Sequence, residues 1–236
     1  MAQYPYSLTI AIPAYNEEHA LGDVIMKADK AARSFVSVFE ILVIDDGSTD
    51  KTGAIADRLA KDNRHIRVIH HRNNMGFSGA IKACYVNAKH EYIFLLPADG
   101  QIDPADMSIF LEKIGDSDVV VGYRIDNPEP LSRRINSWVF HTLYRTLFGV
   151  QLREISTSIL WRKVVLDQIR ITAVPRSAVI EPEVVYKAWA SGFRFTQVPI
   201  PYYPRTQDKA KGANPLMIFM TIQGLLRLWW TTRVKG

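Results

Sequence analysis

Cysteine is all but missing: Cys84 is the only one in 236 residues. That excludes a disulfide framework and a cysteine-built zinc site. Cys84 shares helical spacing with Ala80, Ala83 and Ala88 and reads as a small core residue. The glycine-rich loops of nucleotide binding are missing too. No GxGxxG follows the first apolar run, and there is no GxxxxGK[ST], so dinucleotide-binding and P-loop readings lose their main support. The apolar stretch at 216–230, LMIFMTIQGLLRLWW, is about fifteen residues long, short of the roughly twenty needed to cross a bilayer. The amino terminus carries no basic segment followed by an apolar one, so the reading is a cytoplasmic protein without a signal peptide. There is no low-complexity linker and no internal repeat, which fits one large domain or a domain with a small appendage. Acidic residues run out toward the end. From Arg205 onward Lys209, Lys211, Arg227, Arg233 and Lys235 stand against Asp208 alone. A basic end on an apolar segment suits phosphates or an anionic membrane surface. A nucleic-acid partner is disfavoured, because the net charge is only +5 and the aromatics cluster in apolar segments instead of alternating with Lys and Arg.

What is present is an alternation of short apolar runs and helical patterns. LTIAIPAY (8–15) is a buried-strand pattern ended by Pro13. In the segment after it Leu21, Val24, Ile25, Ala28 and Ala32 share a helix face. FEILVIDDGSTD is a second strand breaking at Asp45-Asp46-Gly47, and Thr49 or Asp50 can cap a helix over 51–62. IRVIHH is a third strand, followed by a helix capped near Ser78. EYIFLLP is a fourth strand, then a helix with Pro104 in its first turn, and SDVVVGYR is a fifth strand. This spacing predicts an α/β fold, a Rossmann-like, mainly parallel sheet flanked by helices. Later segments predict helices over 135–150 and 181–193, an edge strand in RFTQVPIPYYP because prolines remove ladder donors, and an amphipathic helix at the C-terminus.

Right-handed crossovers put four polar strand ends on one rim, where ligands of open α/β sheets bind. They are Pro13 to Glu17, Asp45 to Ser48, Pro97 to Gln101, and Gly122 to Arg124. Asp99 and Gln101, at i and i+2, could face one hard cation that bridges two phosphates. Arg124, Arg205 and Lys211 could neutralise phosphate oxygens. Together they suit a nucleoside diphosphate leaving group. The plainer alternatives are an Asp-Gly turn at Asp99-Gly100 and a capped helix start at DDGSTD.

IPAYNEE, EILVIDDGSTDKT, HRNNMGFSGAI, ADGQIDP and VVVGYR, in this order and spacing, resemble the family-two glycosyltransferases of the GT-A fold, and most of all the polyprenyl-phosphate sugar synthases of the dolichol-phosphate mannose synthase type. VPIPYYPRTQDKAKG resembles that group's Val-Pro-Ile stretch with its following arginine and lysine. The resemblance covers about residues 7–212; residues 1–212 are taken as the glycosyltransferase domain, with 213–236 as an amphipathic membrane-interface helix. It implies a nucleotide pocket of Pro13, Tyr15, Glu17, Asp45 and Asp46. It implies Mg2+ or Mn2+ at Asp99 and Gln101, and phosphates held by Arg124, Arg205 and Lys211, with Asp99 and these three cations as the catalytic set. The implied donor is a UDP- or GDP-sugar and the implied acceptor a polyprenyl phosphate, with inversion at the anomeric carbon. The implied place is the inner face of the cell membrane, and homo-oligomers are left open.

Two positions depart from the family pattern. Pro97 replaces the first Asp of Asp-Ala-Asp, removing one carboxylate near the metal or the sugar. The stretch matching Asp-x-x-Ser-Gly reads Glu154-Ile155-Ser156-Thr157-Ser158. A hydroxyl acceptor needs a general base, whereas a phosphate monoester is already anionic. After residue 150 only Glu154 and Glu181 offer themselves as bases. A saccharide-hydroxyl glycosyltransferase and a non-catalytic sugar-nucleotide-binding module are therefore the competing readings.

Overall fold

The computed structural model describes residues 3–125, 130–155, 158–203 and 215–234. Strand β1 (Tyr4–Ala14) leads through α1 (Leu21–Phe35) to β2 (Val36–Asp45), and α2 (Thr52–Asp62) leads to β3 (Ile66–His70). Helix α3 (Phe77–Asn87) returns the chain to β4 (Tyr92–Leu95). Two 3-10 turns flank the short α4 (Met107–Leu111) before β5 (Val119–Arg124). Then come α5 (Leu131–Phe148), β6 (Ile159–Arg162), α6 (Lys163–Asp167), α7 (Ile180–Ala190), β7 (Phe195–Ile200) and α8 (Pro215–Val234).

The seven strands form one sheet in the order β3-β2-β1-β4-β6-β5-β7. All neighbours are parallel except β6, which is antiparallel to both β4 and β5. Two reversals cancel, so β5 again runs parallel to β4 and its end reaches the same rim. The mainly parallel α/β sheet is as the sequence predicts, and β7 lies at the edge, as its prolines require. β6 is a strand the sequence conceals, because Ile159–Arg162 runs directly into α6 at Lys163 with no turn residue to mark where the strand ends.

Each strand supplies both faces by alternation. Leu8, Ile10, Ile12, Ile41, Val43 and Phe94 enter one core layer with Leu21 and Ile25 of α1. Ala11, Leu42, Ile44, Ile93 and Val121 enter the other, under Ile81 of α3, Tyr144 of α5, Val184 of α7 and Leu225 of α8. Cys84 sits fully buried in that second layer, so its thiol is a core group.

Two local expectations change. The helix after Pro104 is broken into 3-10 and α pieces. Ser78 is no cap: it lies inside α3, and its hydroxyl donates to the Ser177 carbonyl at 2.7 Å, tying the 174–177 loop to the helix start.

Candidate active site

The parallel ends of β1 and β2 lie side by side, with Ala14 paired to Asp45. The loops beyond them are laced together. Ser48 Oγ accepts from the Asn16 amide (3.0 Å), Asn16 Oδ1 accepts from the Thr49 amide (2.8 Å), and Thr52 Oγ1 accepts from the Glu17 amide (2.8 Å). Asp50 accepts from the Thr52 amide at 2.9 Å in an Asx turn at the entry to α2, where Lys51 holds the N-cap position without a side-chain cap. Burial alone would raise the Asp50 pKa, but hydrogen bonds from Thr52 and Glu18 outweigh that and lower it. Of the expected pocket residues, Tyr15 is exposed, while Pro13 and Glu17 are half-buried beside it.

Asp45 and Asp46 are both buried and both engaged. Asp45 Oδ2 lies 2.8 Å from His70 Nδ1, whose Nε2 lies 3.1 Å from Asp57. The hydrogen bond to Asp45 raises the His70 pKa, with burial opposing and Asp57 assisting. Asp46 Oδ1 accepts from the Met75 amide (2.9 Å) and lies 2.6 Å from His71 Nδ1, and its Oδ2 accepts from the Gly76 amide (2.9 Å). Asp46 is thus the hub that folds the 71–76 loop against the rim. Gly47, at φ +69°, admits that loop: a Cβ there would lie 2.7 Å from the Asn74 amide nitrogen. The two histidines escaped the sequence reading. The register that pairs Asp45 with His70 is the signal for them, and it is visible only once the strands are paired.

Past β4 the pairing continues one residue, Leu96 donating to Ala11, and the chain then turns at Asp99. Asp99 Oδ1 accepts from the Gln101 amide at 3.1 Å, and Gly100 adopts φ +73°. The Asp-Gly turn is therefore real, and it lifts the Asp99 carboxylate to the rim. Gln101 is buried. Its Nε2 donates to the Tyr203 carbonyl at 3.3 Å, and its own carbonyl accepts from the Tyr203 amide at 3.0 Å. Arg205 and Lys211, which follow, lie outside the described residues.

Arg124, at the end of β5, faces Glu154. Its backbone amide donates to Oε2 (2.7 Å), its Nε donates to Oε1 (2.6 Å), and Nη2 also contacts Oε1. The guanidinium lies over the Tyr202 ring, 4.8 Å from its centre. Burial would lower the Arg124 pKa, but Glu154 outweighs it and the net shift is upward. Glu181 is 3% exposed at the start of α7, and burial pushes its carboxyl up to about 8. It is buried in the core beside Tyr85.

A family model for glycosyl transferase family 2 matches residues 9–169. The chain belongs to that family. Among curated relatives, it is 29% identical to polyprenol monophosphomannose synthase of Mycolicibacterium smegmatis, covering 87% of this chain and 81% of that one. It is 26% identical to undecaprenyl-phosphate mannosyltransferase of Micrococcus luteus, over 97% and 98%. A glycosyltransferase from Haloferax volcanii is 24% identical over 97% of this chain, which spans only 38% of that protein's length. Among solved structures, glucosyl-3-phosphoglycerate synthase of Mycobacterium tuberculosis, crystallised with Mn2+, UDP and phosphoglyceric acid, superposes with a TM-score of 0.74 at 16% identity, over 95% of this chain and 78% of that one. The fold is GT-A.

The donor set for a metal is spare. Among the described residues no group of three or more His, Cys, Asp and Glu could hold an ion. Magnesium-type sites commonly use one or two carboxylates and take their other ligands from water and substrate phosphates. Asp99 on its raised turn fits that pattern, with Pro97 at the position of the missing second carboxylate. This family 2 site therefore fits an ion that arrives with a diphosphate, and does not fit a preformed cage.

Proposed function

We propose that this chain is an inverting glycosyltransferase that moves a sugar from a UDP- or GDP-sugar to a polyprenyl phosphate. The observation that carries this reading is the state of the two acids that could serve as base. Glu181 is buried in the core, and Glu154 is paired with Arg124 in the absence of an acceptor. A sugar hydroxyl acceptor would need one of them, whereas a phosphate monoester brings its own nucleophilic oxygen. That oxygen forms a bond to the anomeric carbon from the face opposite the leaving group. The bond from that carbon to the diphosphate breaks, and its electron pair departs with the nucleotide.

The nucleotide is assigned to the rim around Pro13, Tyr15, Glu17, Asp45 and Asp46. Asp46 contributes there chiefly by shaping the 71–76 loop. Mg2+ or Mn2+ at Asp99, when bound with the diphosphate, supplies charge neutralisation to the leaving group. Gln101 serves this assignment less as a ligand than as the residue that fixes Tyr203, from which the chain runs to Arg205 and Lys211. Those two cations and Arg124 are assigned to the phosphates.

No helix among the described residues is long and apolar enough to cross a membrane. The proposed place is peripheral, at the inner membrane face. Leu131, Ile135 and Trp138 on α5 and Leu226 and Trp230 on α8 are exposed, with Arg134, Arg227 and Arg233 beside them. Apolar and indole groups flanked by arginines match an anionic lipid surface. The 213–236 segment is assigned to this contact.

The test is a thermal-shift panel with UDP, GDP, CDP and dTDP, each with Mn2+, Mg2+ or chelator, followed by transfer from the stabilising donor to a polyprenyl phosphate. Stabilisation by one diphosphate only with metal, lost in Asp99→Asn, is expected. No stabilisation by any nucleotide, with and without lipid, would refute the reading.

A further inference from the structure

Arg124 is not presented as an open anion receptor. Glu154 occupies its Nε, its Nη2 and its backbone amide, and the Tyr202 ring covers one face. The pair is mostly withdrawn from water, each side chain being 13% exposed. A carboxylate held by a guanidinium fork and a backbone amide uses the same donors that a phosphate would use.

What holds Glu154 is its neighbour. The Ile155 amide donates to Nε2 of His141 at 3.2 Å, and Nδ1 of His141 lies 2.7 Å from the Ser137 carbonyl. A carbonyl can only accept, so Nδ1 carries the proton, and Nε2 is left as the acceptor for Ile155. His141 is buried on the inner side of α5, and this tautomer is the only one that satisfies both neighbours.

We propose that Glu154 stands in for a substrate phosphate on Arg124, and that His141 is the positioning residue that holds it there. This rests on the assignment of Arg124 to a phosphate in the preceding section. Binding of the acceptor phosphate then exchanges one anion for another on the same guanidinium, and Glu154 swings out. The gain is that Arg124 is never left as a buried, unpaired cation between turnovers. The cost is that the acceptor must compete with an internal anion.

Protonation of His141 turns Nε2 into a donor, which cannot face the Ile155 amide. The charged groups facing His141, among the described residues, are Glu154 from the 149–155 loop, Arg124 from β5 and Arg145 from α5 itself. Burial lowers its pKa below the ordinary 6.5. The Ser137 carbonyl and Glu154 oppose this, and Arg124 and Arg145 add to it. The clasp is therefore closed at neutral pH and loosens on the acid side of 6.5.

The experiment measures half-saturating concentrations of a short-chain polyprenyl phosphate in detergent micelles, for the full chain and three variants, at pH 7.5 and at successive pH values on the acid side of 6.5 as far as the fold holds. Glu154→Gln removes the competing charge, and a neutral hydrogen bond is roughly half as strong as a charged one. Its half-saturating concentration is expected to fall about tenfold at pH 7.5. His141→Ala is expected to lower it about threefold and to speed hydrogen exchange at the Ile155 amide. In His141→Gln the amide oxygen can still accept from Ile155, so it should match the parent at pH 7.5. It should also lack the acid-side tightening that the parent shows. The ionisation of the ligand itself is common to parent and variant and cancels in that comparison.

Equal or weaker binding by a folded Glu154→Gln, or parallel pH profiles for the parent and His141→Gln, overturns the clasp and leaves the glycosyltransferase reading intact. A parent that takes up no polyprenyl phosphate while still binding a nucleotide overturns the acceptor assignment, and the clasp with it.

Discussion

Replacing Asp46 by alanine removes the one acceptor shared by His71 Nδ1 and the amides of Met75 and Gly76. Asp46 is 2% exposed, so the carboxylate cannot be replaced by bulk water without opening the loop. The His71 ring is itself 19% exposed and can turn to solvent, which leaves two amides to be resatisfied. An orphaned buried donor costs about 1–3 kcal/mol, more where its partner was charged. The expected loss is on the order of 3 kcal/mol, a sizeable part of the 5–15 kcal/mol that typically holds a domain together. With a urea m-value of about 2 kcal/mol/M, the unfolding midpoint should fall by about 1.5 M at an unchanged slope. His71→Ala, which leaves both amides paired, should cost only about 1 kcal/mol. Equal midpoints for Asp46→Ala and the parent would refute the view that this carboxylate organises the 71–76 loop. It would then be read as a group reserved for the ligand.

Other outcomes follow from single residues. Glu181 has a folded pKa raised from 4.5 to about 8 by burial. A raised carboxyl contributes stability that is intact below 4.5 and is lost as pH rises toward 8. Glu181→Gln should therefore match the parent near pH 4.5 and exceed it by on the order of 3 kcal/mol at pH 7, in urea melts at the two pH values. For His70 the shift is also upward, through Asp45 first, so its contribution is full below 6.5 and fades as pH rises past that value. His70→Ala should accordingly lose more melting temperature at pH 6 than at pH 9. Gly224 packs α8 against the α7 approach, and a Cβ there would lie 2.7 Å from Val179 Cγ1. Gly224→Leu should cost about 1–3 kcal/mol by overpacking, read as a lower midpoint. Trp138→Glu with Trp230→Glu should abolish sedimentation with vesicles containing anionic lipid while leaving nucleotide-induced thermal shifts unchanged.

The legible part of the molecule was the part with a period. Strands such as EILVID and helices such as the one bearing Leu21, Val24, Ile25 and Ala28 show their faces directly, and turn residues such as Asp99-Gly100 mark the strand ends. The rim could be placed because parallel crossovers leave little choice. What stayed hidden depends on pairing between distant segments. The antiparallel β6 passes straight into α6 with no turn residue between, so its strand is masked by the helix that follows. The bonds from His70 to Asp45 and from His71 to Asp46 span 25 residues each, and the one from Arg124 to Glu154 spans 30. By sequence Ser78 reads as a local cap, because Ser favours caps, yet its partner is Ser177, 99 residues away. Local chemistry indicates which residues are polar, and only the tertiary fold decides whom they bind.

The double hydrogen bond between Gln101 and Tyr203 has a kinetic meaning. Gln101 lies two positions after Asp99, and Arg205 lies two positions after Tyr203. The turn assigned to the leaving diphosphate and the start of the segment carrying the later cations thus share one fixed point. A displacement at either end is passed to the other through backbone, without a long lever. Initial-rate patterns should then show a compulsory order, with the nucleotide product competing against the donor and not against the lipid.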